Sequence, residues 1–196
     1  MPLNYLDIGW NTFKDYMTHL KPISKNICKN IKWQINKNKR EGVLIKQLKD
    51  IDEYEDRLHE LVNMNTVAHN RLPFMLSKDF YRKLLENLGN DANIYAAVKE
   101  KRITGVSISI SKDRFVSLPV AGVDHEMSGN DFTYFNITYY RPIMDAISSG
   151  KIRINLGRGM YEIKRRRGCK VKNVFIYYKP YTIKQKLMAK SLLPLR

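Results

Sequence analysis

The chain has few cysteines and no long apolar run. Only two of its 196 residues are cysteines, Cys28 and Cys169, and their wide separation provides neither a disulfide framework nor a metal-binding spacing. We therefore expect a reducing, cytoplasmic location. No stretch approaches the roughly 20 apolar residues of a membrane span. The N-terminal sequence MPLNYLDIGW lacks the basic and apolar regions of a secretion signal.

Acidic residues are also scarce, because 19 Asp and Glu stand against 35 Lys and Arg, for a formal net charge of +16. A positive field of this size favours partners that carry phosphates: a nucleotide cofactor, RNA, DNA or an anionic membrane. The alternative is a highly soluble protein from a proteome rich in Lys, Asn and Ile. A hydrophobic content of 43% is that of a globular protein, and the length predicts one domain over residues 1–196.

Helical periodicity begins near the N-terminus. A basic amphipathic helix is predicted over residues 12–41, with a Thr12–Asp15 capping box, a break or kink at Pro22 and a stop at Gly42. Further helices are predicted over residues 52–70, 78–88, 132–149, 161–167 and 182–193. The last of these is a basic C-terminal helix.

Short alternating segments between these helices predict strands. They cover residues 43–48, 94–99, 103–111, 115–123, 152–156 and 171–178. The second and third form a hairpin that leads into the fourth, which gives an antiparallel meander. A helix between the fourth and fifth strands forms a crossover and favours parallel pairing of those two. The predicted fold class is therefore α/β, with a mixed, mainly antiparallel sheet flanked by helices.

Three segments resemble the FemAB-like branch of the GNAT acyltransferases, which includes the peptidoglycan aminoacyl transferases. They are TFKDYMTHLKPISKNICKNIKWQINKNKREG, ITYYRPIMDAISSG and LGRGMYEIKRRRGCK. The likeness extends over about residues 12–180 and implies a GNAT-like fold. It also implies an N-acyltransferase that moves an acyl or aminoacyl group to an amine acceptor. The donor would be a phosphate-rich carrier: CoA, an acyl-carrier protein or an aminoacyl-tRNA.

One segment departs from the pattern of that family. Many GNAT enzymes that use acetyl-CoA carry a Gly-rich pyrophosphate loop before the crossover helix, whereas this chain has DHEMSGND at residues 124–131. The departure puts acetyl-CoA in doubt as the donor. The acyl donor is expected to be a co-substrate, and no metal cofactor is expected.

Lys164 is the first candidate catalytic residue. Acyl transfer to an amine needs a stabilised oxyanion, and preorganised donors usually supply the largest part of that stabilisation. By the resemblance, Lys164 follows the Gly-rich turn of Gly157 and Gly159, where a cation can steady negative charge or hold a carrier phosphate. The alternative is a solvated member of the KRRR run. Tyr161, on the same helix face, could protonate a leaving group or simply pack the helix onto the sheet.

The loop before the crossover helix supplies the other candidates. His125 or Glu126 could act as the base for the amine, directly or through water, although most loop residues of this kind are solvated. Backbone N–H groups at the helix start could cradle a phosphate. Of the two adjacent tyrosines on the helix, one is expected in the core and the other in the acyl pocket. The predicted cofactor-binding set is Ser128, Gly129, Asn130, Tyr139, Tyr140, Gly157 and Gly159.

These residues predict an acyl-delivery cleft between two diverging strands, near Gly129 and Lys164. Neither cysteine has a paired histidine in sequence, so a covalent acyl-cysteine is not expected. The histidines His19, His59 and His69 are expected to be surface or structural residues.

Two other functions stay open at this point. One is a non-catalytic RNA- or nucleic-acid-binding protein on a GNAT-like scaffold. The other is a membrane-surface protein that uses the apolar residues of the C-terminal helix, namely Leu187, Met188, Leu192 and Leu193. Partners left open are tRNA, a carrier protein and a second copy of the chain in a homodimer.

Overall fold

A computed structural model describes residues 2–68, 76–77, 79–175 and 179–185. Within them, seven strands form one sheet. The strands are β1 (Pro2–Asp7), β2 (Leu44–Leu48), β3 (Ala92–Lys99), β4 (Arg102–Lys112), β5 (Phe115–Val123), β6 (Arg153–Gly157) and β7 (Lys170–Asn173). Their order is β2-β3-β4-β5-β6-β1-β7, and every neighbouring pair is antiparallel except β5 and β6. The prediction of a mixed, mainly antiparallel α/β sheet is confirmed.

Helices cover both faces of the sheet. They are α1 (Phe13–Leu20), α2 (Ile27–Arg40), α3 (Glu55–Ala68), α4 (Phe80–Leu88), α5 (His125–Ser128), α6 (Thr133–Phe135), α7 (Arg141–Ser148) and α8 (Tyr161–Arg165). A 3₁₀ turn, Gly89–Asp91, follows α4. A π-helical turn, Asn136–Tyr140, joins α6 to α7. We call this continuous helical segment, residues 133–148, the crossover helix.

The predicted basic helix at 12–41 is two helices. The capping box is present, since the Asp15 N–H donates to Thr12 Oγ1 and the Thr12 N–H donates to the Asp15 carboxylate, both at 3.1 Å. Helix α1 ends at Leu20 and α2 begins only at Ile27, because Pro22 has no N–H and its ring would clash with the preceding turn. Gly42, with φ of +75°, follows α2 as expected.

Strand β1 was not predicted from the sequence. It lies between β6 and β7 and buries Asn4 and Leu6. The Asn4 side-chain amide donates to the carbonyls of Gly157 at 2.9 Å and Gly159 at 3.2 Å. The first strand of the chain therefore fixes the Gly-rich turn that follows β6.

The two faces of the sheet have different cores. Helices α3 and α4 pack on one face, where Leu58, Leu61 and Val106 are buried together. A Cβ at Gly122 would lie 2.1 Å from the Leu61 carbonyl oxygen, so the backbone of α3 lies directly on β5. Helices α1, α2 and the crossover helix pack on the other face, around a second cluster that includes Leu20.

The sheet opens between β5 and β6. Their parallel pairing extends only over Phe115–Ser117 and Arg153–Asn155, whereas β5 continues to Val123 beside β4. Beyond Ser117 and Asn155 the two strands are no longer paired. We call this opening the splay; the crossover helix runs from the end of β5 back to the start of β6. The predicted parallel crossover is confirmed.

The C-terminal predictions are covered only in part. Strand β7 ends at Asn173, and residues 176–178 of the predicted strand lie outside the described residues. Residues 183–185 are helical, and Thr182 Oγ1 accepts from the Gln185 N–H at 3.2 Å, as a helix start at Thr182 requires. The rest of that helix, with Leu187, Met188, Leu192 and Leu193, also lies outside the described residues, as does His69.

Candidate functional site

Lys164 lies on α8, after the Gly-rich turn that follows β6, and its side chain is buried. Its exposed fraction is 4%, and Nζ donates to the Arg158 carbonyl at 2.8 Å. Among the described residues this is its only hydrogen bond, and no carboxylate forms an ion pair with it. Burial lowers the pKa of Lys164 to about 8, against a smaller opposite effect of Cys169. The Lys164 side chain thus stays mostly protonated, as an ammonium, at neutral pH.

Cys169 lies beside Lys164 and is also buried. Burial raises the pKa of its thiol to about 12, although Lys164 and Arg167 lower it somewhat. The thiol is therefore protonated at neutral pH and a poor nucleophile. This agrees with the expectation that acyl transfer does not pass through a cysteine.

Arg167 is a second buried cation, with an exposed fraction of 4%. It donates to the Tyr140 hydroxyl at 2.7 Å and to Gln34 Oε1 at 3.3 Å, while its Nε has no hydrogen-bond partner. Its guanidinium lies 4.7 Å from the ring centroid of Phe135 and 5.5 Å from that of Tyr139. Within the described part of the chain no carboxylate pairs with it, so aromatic faces and neutral oxygens balance its charge.

Two tyrosines of the crossover helix meet a methionine from the Gly-rich turn. The hydroxyls of Tyr134 and Tyr139 lie 3.7 and 3.8 Å from the Met160 sulfur. Burial raises the pKa of both phenols, so they are protonated hydrogen-bond donors at neutral pH. Since a thioether is a weak acceptor, these hydroxyls could turn to a stronger acceptor such as a carbonyl oxygen. Met160 lies one helical turn before Lys164, whose backbone N–H donates to the Met160 carbonyl.

We expected one of Tyr139 and Tyr140 in the core and the other in a pocket, but both side chains are buried to the same extent. The two side chains differ in the groups that their hydroxyls contact. Tyr139 points to Met160, whereas the Tyr140 hydroxyl contacts Arg167 and Gln34.

The Gly-rich turn and Tyr161 complete the β6 side. Gly157 and Gly159 have φ of +73° and +70°, and their carbonyls accept from Asn4. Tyr161 is 39% exposed, and its hydroxyl donates to the Pro2 carbonyl at 3.3 Å. Tyr161 and Lys164 therefore leave α8 toward different surroundings, one at the surface and one in the interior.

The loop after β5 is held by its own carboxylates. Asp124 accepts from the Met127 N–H at 3.0 Å and from Arg57 at 2.7 Å. Burial raises the pKa of Asp124, but those two donors lower it more, so it lies below the usual 3.8. Asp131 accepts from the Thr133 N–H at 2.8 Å and lies 3.6 Å from Lys99 Nζ. Both helix starts thus already carry a negative charge.

The predicted base and phosphate residues lie on this same loop. His125 and Glu126 are exposed, and no hydrogen bond to either side chain is found within the described ranges. Ser128 is buried with an unpartnered hydroxyl, while Gly129 and Asn130 are exposed. Their proposed roles stay predictions, and a phosphate there would have to approach Asp124 and Asp131.

The two predicted halves of the site follow, in the chain, the two strands that border the splay, and the predicted acyl-delivery cleft between them stays a prediction. The loop with Gly129 follows β5, and the turn with Lys164 follows β6. Tyr134 and Tyr139, from the helix that bridges them, belong to the same buried cluster as Leu118 and Leu156. No group of three or more potential metal ligands occurs in the part of the chain that the structure describes. None of the helices described has both the length and the apolar character needed to cross a bilayer.

Comparison with known proteins decides which family this arrangement represents. The FemAB-like family model, described as peptidoglycan biosynthesis/recognition, matches residues 3–188. The chain belongs to the FemAB-like family. The resemblance inferred from the sequence is thus confirmed, and β1 falls within the matched range. No curated protein matches the chain in sequence.

Solved structures show the same fold at low sequence identity. FemX superposes with a TM-score of 0.62 at 8% identity, over 87% of this FemAB-like chain and 59% of FemX. The C-terminal domain of a putative lysylphosphatidylglycerol synthetase from Agrobacterium fabrum gives 0.58 at 13% identity, over 87% and 57%. A glucosamine-6-phosphate N-acetyltransferase from Arabidopsis thaliana gives 0.46 at 11% identity, over 71% and 99%. The chain shares the fold of the first two structures and spans less than two thirds of the length of each.

Sequence reasoning about this FemAB-like site missed Asn4, Tyr134 and Arg167. Asn4 lies in the unpredicted strand, and its partners are at the other end of the chain. Arg167 stands in the run KRRR, where no local signal tells which cation turns inward. Tyr134 and Tyr139 both face the turn after β6, but they are five residues apart and not at the three- or four-residue spacing of one α-helical face. The π-helical turn Asn136–Tyr140 lies between them, so α-helical spacing does not predict the pair.

Proposed function

We propose that this FemAB-like protein is an N-acyltransferase that moves an acyl or aminoacyl group from a phosphate-rich carrier to an amine. The carrier is CoA, an acyl-carrier protein or an aminoacyl-tRNA. One observation carries the proposal: Lys164 is a buried ammonium at the edge of the splay, with one acceptor and no carboxylate partner in the described residues. A site of this kind suits an anion that forms during the reaction.

In the proposed reaction, the amine nitrogen attacks the acyl carbonyl and forms a tetrahedral oxyanion. Lys164 stabilises the oxyanion or the carrier phosphate, and the phenol of Tyr139 can donate a further hydrogen bond. The bond from the acyl carbon to the sulfur or oxygen of the carrier then breaks, the leaving group takes up a proton, and the amine loses one. Tyr161 as proton donor and His125 or Glu126 as base remain proposals, and all three side chains are exposed.

The family description bears on the acceptor. Its description as peptidoglycan biosynthesis/recognition supports an amine of a peptidoglycan precursor. The net charge of +16 supports a phosphate-bearing donor.

The test is mass spectrometry of the purified protein with an amine acceptor and separate pools of acyl-CoA, acyl-carrier protein and aminoacyl-tRNA. One pool should yield acylated acceptor. Lys164→Met should lower the rate by about 10²–10³-fold, as for loss of an oxyanion donor. Arg165→Met is the matched control, because Arg165 is a neighbouring cation that is exposed and paired with Glu162. A Lys164→Met rate equal to wild type would refute the assignment.

The competing function, a nucleic-acid-binding protein without catalysis, predicts a different result. RNA would bind in a salt-dependent manner, and no donor pool would be consumed under any condition. That outcome would remove the transferase proposal as a whole.

A further inference from the structure

The structure holds two adjoining cavities that Lys164 does not line. They lie along α2. The first has a volume of about 580 Å³ and lies between α2, β2 and the crossover helix. The second has a volume of about 420 Å³ and lies between α1 and α2. Ile35 and Met144 line both. Each volume is within the roughly 300–1,000 Å³ of ligand pockets. We call the two together the α2 groove.

The floor of the α2 groove is apolar. Ile35 and Met144 form its middle, Val43 and Leu44 line the end near β2, and Met17 lines the end near α1. Leu44 is 55% exposed, so its side chain lies open at the mouth of the groove. Two adjoining apolar cavities that share Ile35 and Met144 fit an extended hydrocarbon chain better than a compact polar ligand.

The rim of the groove is cationic, and the charge is concentrated at one end. Lys14, Lys21 and Lys32 surround the end near α1, and Lys39 stands at the other. All four are exposed. None of them forms an ion pair within the described residues. Three unpaired ammonium groups beside an apolar channel match a ligand whose anionic head adjoins a long tail.

We propose that the α2 groove binds a single-chain anionic amphiphile with a phosphate head group. The phosphate lies among Lys14, Lys21 and Lys32. The acyl chain runs past Ile35 and Met144 toward Leu44. Lys164 does not line the groove, but Tyr140 lines its first cavity and its hydroxyl accepts a hydrogen bond from Arg167, so the groove adjoins the candidate transfer site.

The test is isothermal titration calorimetry with three probes below their micellar concentrations. Oleoyl glycerol phosphate carries both features, monooleoylglycerol only the chain, and glycerol 3-phosphate only the head. The amphiphile should bind one molecule per chain, and each of the other two should bind about tenfold or more weakly. Equal binding of glycerol 3-phosphate would overturn the proposal.

Variants separate the two features. Lys21→Glu with Lys32→Glu should weaken amphiphile binding by about tenfold. The charge-matched control, Lys112→Glu with Lys172→Glu, should leave binding unchanged, because neither residue lines the groove. Unchanged binding in the groove variant would overturn the proposal.

Apolar variants test the chain site. Leu44→Gln and Met144→Gln should weaken binding of the amphiphile. Leu88 is an exposed leucine on α4, so Leu88→Gln should leave the binding unchanged. If binding depends on the lysines but not on Leu44 or Met144, the ligand is a polyanion such as RNA, and the acyl-chain site is refuted.

Sedimentation of the same variants tests the last alternative, a second copy of the chain in the groove. A wild-type dimer that Met144→Gln dissociates would mean that a second copy fills the groove, which also refutes the proposal.

Discussion

The two edges of the splay handle charge in opposite ways. After β5, Asp124 and Asp131 are each held by a backbone N–H and a nearby cation, Arg57 and Lys99. After β6, Lys164 and Arg167 are equally buried but have no carboxylate partner in the described residues. A carboxylate with a nearby cation can hold a loop in place, whereas a buried cation without a carboxylate partner lowers the stability of the fold. The difference supports the proposal that the β6 edge receives an anion.

The largest stability effect is expected at Arg167. Arg167→Ala removes the hydrogen bonds to Tyr140 and Gln34 and the contacts with Phe135 and Tyr139. It should lower the free energy of unfolding by about 3 kcal/mol. Urea denaturation followed by circular dichroism measures it. A loss below that of an exposed control, Arg165→Ala, would mean that the aromatic cage contributes little.

The next effect has the opposite sign. Lys164→Met should raise the free energy of unfolding at pH 7 by about 2 kcal/mol. At about 1.36 kcal/mol per pKa unit, the lowering from 10.5 to about 8 costs the wild type about 3 kcal/mol, and loss of the hydrogen bond to the Arg158 carbonyl offsets about 1 kcal/mol of that gain. The unfolded chain binds more protons than the folded one between pH 8 and pH 10.5, so wild-type stability rises over that window. The advantage of the variant should therefore shrink there. Denaturation curves at several pH values test this, and a destabilised variant at pH 7 would contradict it.

The smallest effect is expected on the β5 edge. Asp124→Asn keeps a cap for Met127 but loses the charge opposite Arg57, and should cost about 1 kcal/mol at pH 7. Because the pKa of Asp124 is lowered on folding, this contribution is lost as pH falls through its folded-state pKa. Acid titration of stability checks the sign. If Asp124 is only structural, the variant transfers acyl groups at the wild-type rate. A large drop in that rate would mean that the β5 edge also takes part in the reaction, and would contradict the proposed difference between the two edges.

The elements with local signals were predictable from the sequence, and those made by distant pairing were not. The meander β3–β5 and the crossover to β6 follow from alternation, turn residues and a Gly stop at Gly150. Strand β1 escaped because it contains Pro2, Asn4 and Asp7, which have low strand propensity, and because its partners are β6 and β7.

The candidate site was predictable in the same measure. Lys164 was chosen by its resemblance to the family lysine that follows the Gly-rich turn, but its burial and its lack of a carboxylate partner in the described residues depend on packing that no local pattern encodes. Arg167, two residues beyond Arg165 in the same basic run, illustrates this, since one is buried and the other is exposed. Tertiary contacts alone distinguish them.

The pH dependence of transfer tests the central claim most directly, namely that Lys164 acts as a buried cation. The quantity to measure is the ratio of kcat/KM for wild type to that for Lys164→Met, between about pH 6 and pH 10, because the acceptor amine contributes equally to both. We predict a high constant ratio at low pH that falls as pH rises through about 8, where Lys164 loses its proton. A ratio that stays constant across the whole range, or that rises with pH, would contradict the claim.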